Sequence, residues 1–291
     1  MPLNQHHRVS FEFFPPKTDI GREKLIATRN ELQTLNPSFF SVTYGAGGST
    51  RDNTKAVVVE GLSDGFDIAP HLSFGGDNED VVLAMLEEYK AAGVRRIIAL
   101  RGDMPSGFGK ARLVYSNQLV SFIREHFGNH FELEVAAYPE IHPEAESYDK
   151  DIYYLQQKFS AGASSAITQY FYCAEAFEYF MEECTSAGIS QPIYPGIMPI
   201  TNFDNLQRFS RNCGAEIPRW IERRVSALQS SQDDLQHFCT DLITRLCEKL
   251  LAAGAPGFHF YTLNQARPTA DICRNLGLGA SSNAIDGKEK N

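Results

Sequence analysis

Glu12 lies in the run Val9-Ser10-Phe11-Glu12-Phe13-Phe14-Pro15-Pro16, a single carboxylate among aromatic neighbours. Surroundings of low polarity favour a protonated carboxyl, so this residue is expected to hold a proton that it can donate near neutral pH. Other short apolar runs also end in polar or ionisable clusters. In chain order these are Thr43 and Tyr44; His71; Arg101, Gly102 and Asp103; Tyr138, Glu140 and His142; Gln169; and Tyr261 with Asn264 and Gln265. Arg101-Gly102-Asp103 offers a guanidinium and a carboxylate around a flexible glycine, which suits a phosphate or the polar edge of a ring and suits a local ion pair equally well. The glycine-rich stretch Tyr44 to Thr50 could bring backbone amides close to a phosphate, but it lacks Gly-x-Gly-x-x-Gly and a following Walker lysine, and it reads equally as a rim loop. His71, His142 and Glu140 could gather around a divalent ion, although no His-x-x-x-His spacing supports it. No Gly-x-Ser-x-Gly elbow points to a nucleophilic serine.

These clusters need elements to position them. β-branched and aromatic runs predict strands at Arg8–Phe14, Phe39–Tyr44, Ile68–Ser73, Arg95–Arg101, Glu132–Tyr138, Ser165–Phe171, Ile193–Met198 and Phe258–Thr262. Between them the apolar spacing turns helical, as in Asp77–Ala92, which Gly93 stops. The same punctuation recurs at Ala161-Gly162-Ala163, Ala187-Gly188-Ile189 and Ala253-Gly254-Ala255. Eight strand-helix units imply a parallel sheet, and a closed (β/α)8 TIM barrel accommodates them better than an open sheet. Three successive helices, Asn202–Asn212, Pro218–Leu228 and Asp233–Ala253, are expected between the seventh and eighth strands. In such a barrel the ligand site forms at the carboxyl ends of the strands, where the clusters fall.

The 291 residues therefore read as one catalytic barrel, residues 1–291, with about 1–7 and 280–291 expected to be loose. A net charge of -9 disfavours a general nucleic-acid role, and no apolar stretch is long enough to span a bilayer. The six cysteines include no Cys-x-x-Cys pair and read as buried thiols; with no signal-like start, a cytoplasmic location is expected.

Taken together, the strand ends closely resemble those of bacterial methylenetetrahydrofolate reductases over nearly the whole chain. The resemblance runs through Phe11-Glu12-Phe13-Phe14-Pro15-Pro16, Ser41-Val42-Thr43-Tyr44-Gly45-Ala46, Ala69-Pro70-His71-Leu72, Ala99-Leu100-Arg101-Gly102-Asp103, Ala136-Ala137-Tyr138-Pro139-Glu140, Ile167-Thr168-Gln169, Pro195-Gly196-Ile197-Met198-Pro199 and His259-Phe260-Tyr261-Thr262-Leu263-Asn264. It implies a barrel that binds FAD without a covalent link and uses NADH to reduce 5,10-methylenetetrahydrofolate to 5-methyltetrahydrofolate by a ping-pong mechanism, supplying methyl groups for methionine synthesis. It also implies a cytoplasmic homotetramer. Glu12 then matches the general acid that opens the folate ring. Asp103 matches a carboxylate beside the flavin, where it would disfavour the anionic reduced form and strengthen hydride donation. Thr43, His71, Arg101, Gly102, Tyr138, His142, Asp151, Tyr154 and Lys158 fall at FAD contacts, with Arg101 and Lys158 offering positive charge to the diphosphate. Gln169, Phe209 and Tyr261 fall at the substrate pocket. The chain departs from its relatives at Gln265, where an arginine is usual, so that contact is lost or moves to Arg267, and at Tyr154, where a small polar residue is common. A flavin-free folate-dependent methyltransferase and a non-catalytic folate-binding barrel are the alternatives.

Overall fold

The computed structural model describes residues 7–44, 51–74, 78–101 and 115–278. Its elements run β1 (Arg8–Phe13), α1 (Asp19–Gln33), β2 (Phe39–Val42), α2 (Arg51–Ser63), β3 (Ile68–Leu72), α3 (Glu79–Ala92), β4 (Arg96–Ala99), α4 (Ser116–Phe127), β5 (Glu132–Ala137), α5 (Tyr148–Ser160), β6 (Ser165–Tyr170), α6 (Ala174–Ser186), β7 (Ile193–Ile197), α7 (Phe203–Cys213), α8 (Arg219–Leu228), α9 (Gln232–Ala252), β8 (Gly257–Tyr261) and α10 (Ala266–Asn275). The strands close into a barrel in chain order, every neighbouring pair parallel, with β1 pairing both β2 and β8. This is the (β/α)8 architecture that the alternation predicts, with three helices between β7 and β8.

Local signals set the helix ends. Asn78 caps α3 by accepting from the Val81 amide at 3.0 Å, and Gly93 ends it in the left-handed region at φ 95°. Gly162, Gly188 and Gly254 do the same after α5, α6 and α9, with φ of 109°, 77° and 91°.

Strand alternation splits each side chain between the two faces of the barrel wall. On β1, Phe11 and Phe13 point outward and pack with Phe40 and Phe260 beneath the helices. Arg8, Ser10 and Glu12 point inward. At the amino-terminal end of the interior, Glu134 is fully buried and takes ion pairs from Arg8 and, at 2.6 Å, from Arg96. Both guanidiniums lie over the Phe39 ring at 4.6 Å, and Arg8 also covers Tyr194 at 3.9 Å. Above this plug, Phe39, Ala69, Ile98 and Ile167 fill the middle, with Leu100 and Tyr261 packed against them on the way to the mouth.

Two devices shape the mouth itself. The side-chain amide of Asn264 donates to the Phe14 carbonyl at 2.9 Å and its oxygen accepts from the Phe14 amide at 2.8 Å, while the Thr262 hydroxyl donates to the Glu12 carbonyl at 2.6 Å. The turn after β8 thereby pins the end of β1, with Leu263 and Asn264 in the left-handed region at φ 52° and 57°. On the other side, the β6–β7 register shifts between Ile167 and Tyr170, and the Tyr261 hydroxyl donates to the freed Thr168 carbonyl at 2.7 Å.

Candidate active site

Glu12 is the penultimate residue of β1, on the inner face, and is 8% exposed. Its sequence neighbours are not its spatial neighbours. Phe11 and Phe13 face away, and the groups that meet the carboxylate come from β3 and β8: the Nε2 atoms of His71 and His259 stand 3.3 Å and 3.4 Å from Glu12 Oε2. The expectation of a carboxyl kept neutral by aromatic surroundings is overturned. Burial pushes the Glu12 value up, but His71, with His259 beside it, outweighs burial and holds it down to about 2, so Glu12 is an ionised carboxylate at neutral pH.

Behind this carboxylate stand two serines. Ser41 Oγ is 3.4 Å from His71 Nε2, and Ser10 Oγ is 2.8 Å from His259 Nδ1. His259 is fully buried, stacked on Phe39 and edge-on to Tyr261. Sequence reasoning assigned it no role. Period-two alternation on β8 carried the signal, because His259 shares the inward face with Tyr261, two residues on.

A cavity of about 630 Å³ opens beside this centre at the ends of β3, β4 and β5. Leu100 lines the cavity and packs against the interior layer of Phe39, Ala69, Ile98 and Ile167. Its walls bring together Arg101, Tyr138, His142, Asp151, Tyr154 and Lys158, six of the residues predicted for the cofactor. Lys158 projects from α5 and donates to the Ala136 carbonyl at 2.7 Å; burial lowers its amine to about 8, with Asp151 opposing. Asp151 accepts from the His142 backbone amide at 2.8 Å, and the His142 ring sits edge-on to Tyr138 at 4.6 Å. Burial lowers the His142 value, and the neighbouring Arg101 lowers it further. Arg101 Nη1 is held by Glu144 Oε2 at 2.5 Å, a partner that the sequence reading did not assign to it. Tyr154 is half exposed on the wall, against Tyr153.

Other predicted residues are placed elsewhere. His71 turns inward to Glu12, and Thr43 follows β2, donating its amide to the Phe13 carbonyl at 2.9 Å. Gln169 lies at the mouth on β6, its side-chain oxygen accepting from the Tyr170 amide at 3.0 Å. Tyr261 reaches the mouth with its hydroxyl committed to Thr168, and burial raises its value well above the ordinary phenol range. Phe209 is partly buried on α7, whose end is tied to β6 by the Tyr170–Ser210 hydroxyl contact of 3.0 Å. Gln265 is exposed at the start of α10, and Arg267 spends its charge on Asp271, one turn along its own helix at 3.7 Å. Gly102 and Asp103, with the glycine-rich stretch 45–50, lie outside the described residues. Among the described residues no group of three His, Cys, Asp or Glu side chains is placed to share a metal ion, and Glu140 instead accepts from the Glu216 amide at 2.9 Å. All six cysteines are free; Cys173 and Cys213 are only partly buried, against the expectation for them.

A sequence profile described as methylenetetrahydrofolate reductase matches residues 2–277. The chain belongs to the methylenetetrahydrofolate reductase family. It is 38% identical to the 5,10-methylenetetrahydrofolate reductase of Escherichia coli over 93% of this chain and 90% of that one. It is 36% identical to methylenetetrahydrofolate reductase (NADH) 1 of Zea mays, over 92% of this chain and 48% of the plant protein. Among solved structures, a Clostridium thermocellum protein described as binding two copies of 5-methyl-5,6,7,8-tetrahydrofolic acid superposes with a TM-score of 0.61 at 17% identity, over 94% of each chain. That likeness is one of fold.

For this family the implied cofactor is FAD, and the residues present fit it. A large cavity walled by flat aromatic rings, with Arg101 and Lys158 as cations on one side, is what a planar ring system joined to a diphosphate requires.

Proposed function

We propose that this chain reduces 5,10-methylenetetrahydrofolate to 5-methyltetrahydrofolate, with FAD as cofactor and NADH as the second substrate, the two substrates taking turns in one pocket. The observation that carries the reading is the Glu12 carboxylate, fixed between two imidazoles at the barrel mouth beside a cavity with two cationic residues. FAD, when bound, supplies the hydride transfer from NADH to the folate.

The residues of the chain supply binding, orientation and a proton. Arg101 and Lys158 would hold the diphosphate, with Tyr138 and His142 beside it and Tyr154 at the edge. Arg101 must then exchange its Glu144 partner for phosphate oxygens. Gln169 on β6 and Phe209 on α7 would line the shared pocket for folate and nicotinamide, and Asp103 would add negative charge near the flavin. Glu12 delivers a proton to a ring nitrogen of the folate, which opens the five-membered ring to the iminium that takes the hydride. Release of one product before entry of the second substrate follows from a pocket that serves both.

The test uses the purified protein loaded with FAD. NADH should bleach the flavin absorption, and anaerobic addition of methylenetetrahydrofolate should restore it with formation of methyltetrahydrofolate. A protein that takes up no flavin, or whose reduced flavin survives an excess of the folate, would refute the proposal.

A further inference from the structure

A general acid must have a proton to give, and the surroundings of Glu12 hold it ionised. The two imidazoles at its Oε2 are not equivalent. His71 Nε2 divides itself between Glu12 and Ser41, at 3.3 Å and 3.4 Å. His259 lies fully buried, its ring fixed between Phe39 and Tyr261, with Nε2 aimed at Glu12 and Nδ1 at 2.8 Å from Ser10 Oγ.

The Ser10 hydroxyl has two acceptors in reach, His259 Nδ1 at 2.8 Å and the Phe258 carbonyl at 3.5 Å. When it donates to Nδ1, the neutral ring donates Nε2–H to the Glu12 carboxylate. When it donates to Phe258, Nδ1–H must donate to Ser10, and Nε2 and Oε2 then face each other as two acceptors unless a proton lies between them. This second arrangement holds one more proton than the first, beside the oxygen that must deliver it.

We propose that His259, held by Ser10, is the positioning residue that stores and returns the proton Glu12 donates. The inference rests on the folate-reducing reading above. In the step, the N–H bond at His259 Nε2 breaks as an O–H bond forms at Glu12. The proton passes on to the ring nitrogen of the folate, and the C–N bond there breaks with its electron pair retained by that nitrogen. His259 is left neutral and regains its proton from water after product leaves. The other titratable groups facing this unit are His71 from β3 and Tyr261 from β8, with Arg8, Arg96 and Glu134 deeper in the barrel. The Tyr261 hydroxyl is occupied by Thr168, and the deeper cluster is internally paired.

The experiment is anaerobic stopped-flow of both half-reactions of the FAD-loaded protein across pH. His259→Gln keeps an N–H donor near the Nε2 position but cannot take up a second proton. It should slow flavin reoxidation by methylenetetrahydrofolate at least about tenfold at neutral pH. The alkaline limb of that half-reaction should also move toward acid by about one pH unit or more, because a carboxyl without its imidazole reservoir reloads only at lower pH. Flavin reduction by NADH should keep its rate and profile. Ser10→Ala should move the same limb in the same direction by less. An unmoved limb in His259→Gln, or equal slowing of both half-reactions, overturns the proposal. Should His259→Gln fail to fold or to take up FAD, Ser10→Ala decides alone, and an unmoved limb there overturns it. Wild-type reduced flavin that the folate does not reoxidise at all would instead sink the functional reading.

Discussion

Burial drives both Glu12 and Lys158 toward their neutral forms, yet only Lys158 yields. Two imidazoles at hydrogen-bonding range overcome burial at Glu12, whereas Asp151 compensates Lys158 only in part. The sign of the consequence follows from proton counts. Folded, the Lys158 amine loses its proton at about 8; unfolded, at 10.5. Between those values the unfolded chain binds the extra proton, so the Lys158 contribution to stability rises with pH across that window and is at its most unfavourable below about 8. Lys158→Met should therefore stabilise the cofactor-free protein at pH 7, by at most about 3 kcal/mol, and should abolish the difference in urea midpoint between pH 7.5 and 10 that this residue causes. A variant no more stable than wild type at pH 7 would show that Lys158 is not desolvated. If Lys158 holds the FAD diphosphate as proposed, FAD loading should reverse the ranking.

At the scale of elements, precision at the mouth comes from contacts between strands that are remote in sequence. Gly196 on β7 is the clearest case. A Cβ there would lie 2.0 Å from the Thr168 carbonyl oxygen and 2.7 Å from the Tyr261 ring, both fixed by the hydrogen bond between them. Gly196→Ala should cost about 3 kcal/mol or more in chemical denaturation, since a backbone oxygen cannot step aside as a flexible side chain can. A loss below about 1 kcal/mol would mean that the β6–β7 irregularity is soft. This contrast marks what the sequence makes legible. Strand cores, helix stops at Gly93, Gly162, Gly188 and Gly254, and the three helices after β7 follow from local composition and periodicity, and they stand where predicted to within about two residues. The partners of Glu12 are not local: His71 lies 59 residues away and His259 247, and register alone makes them neighbours. The aromatic residues flanking Glu12 misled for the same reason, because adjacent positions on a strand occupy opposite faces. Arg267 is likewise close to the mouth in sequence and turned to Asp271 in space.

At the scale of the molecule, the barrel separates support from chemistry along its axis. The closed amino-terminal end holds Glu134 between Arg8 and Arg96, a buried cluster whose removal in part would strand a charge. The open end carries Glu12 with its two imidazoles and, at the ends of β3, β4 and β5, the cationic cavity. Under the proposed function, such a division would let one cofactor serve two half-reactions that differ in their need for acid: hydride transfer from NADH would need none, and folate ring opening would. The most direct test is therefore anaerobic stopped-flow of FAD-loaded Glu12→Gln, following both half-reactions. Flavin reduction by NADH should stay within about threefold of wild type while flavin reoxidation by methylenetetrahydrofolate falls by about a hundredfold or more. Comparable loss in both half-reactions, or folate reoxidation at the wild-type rate, would contradict the account.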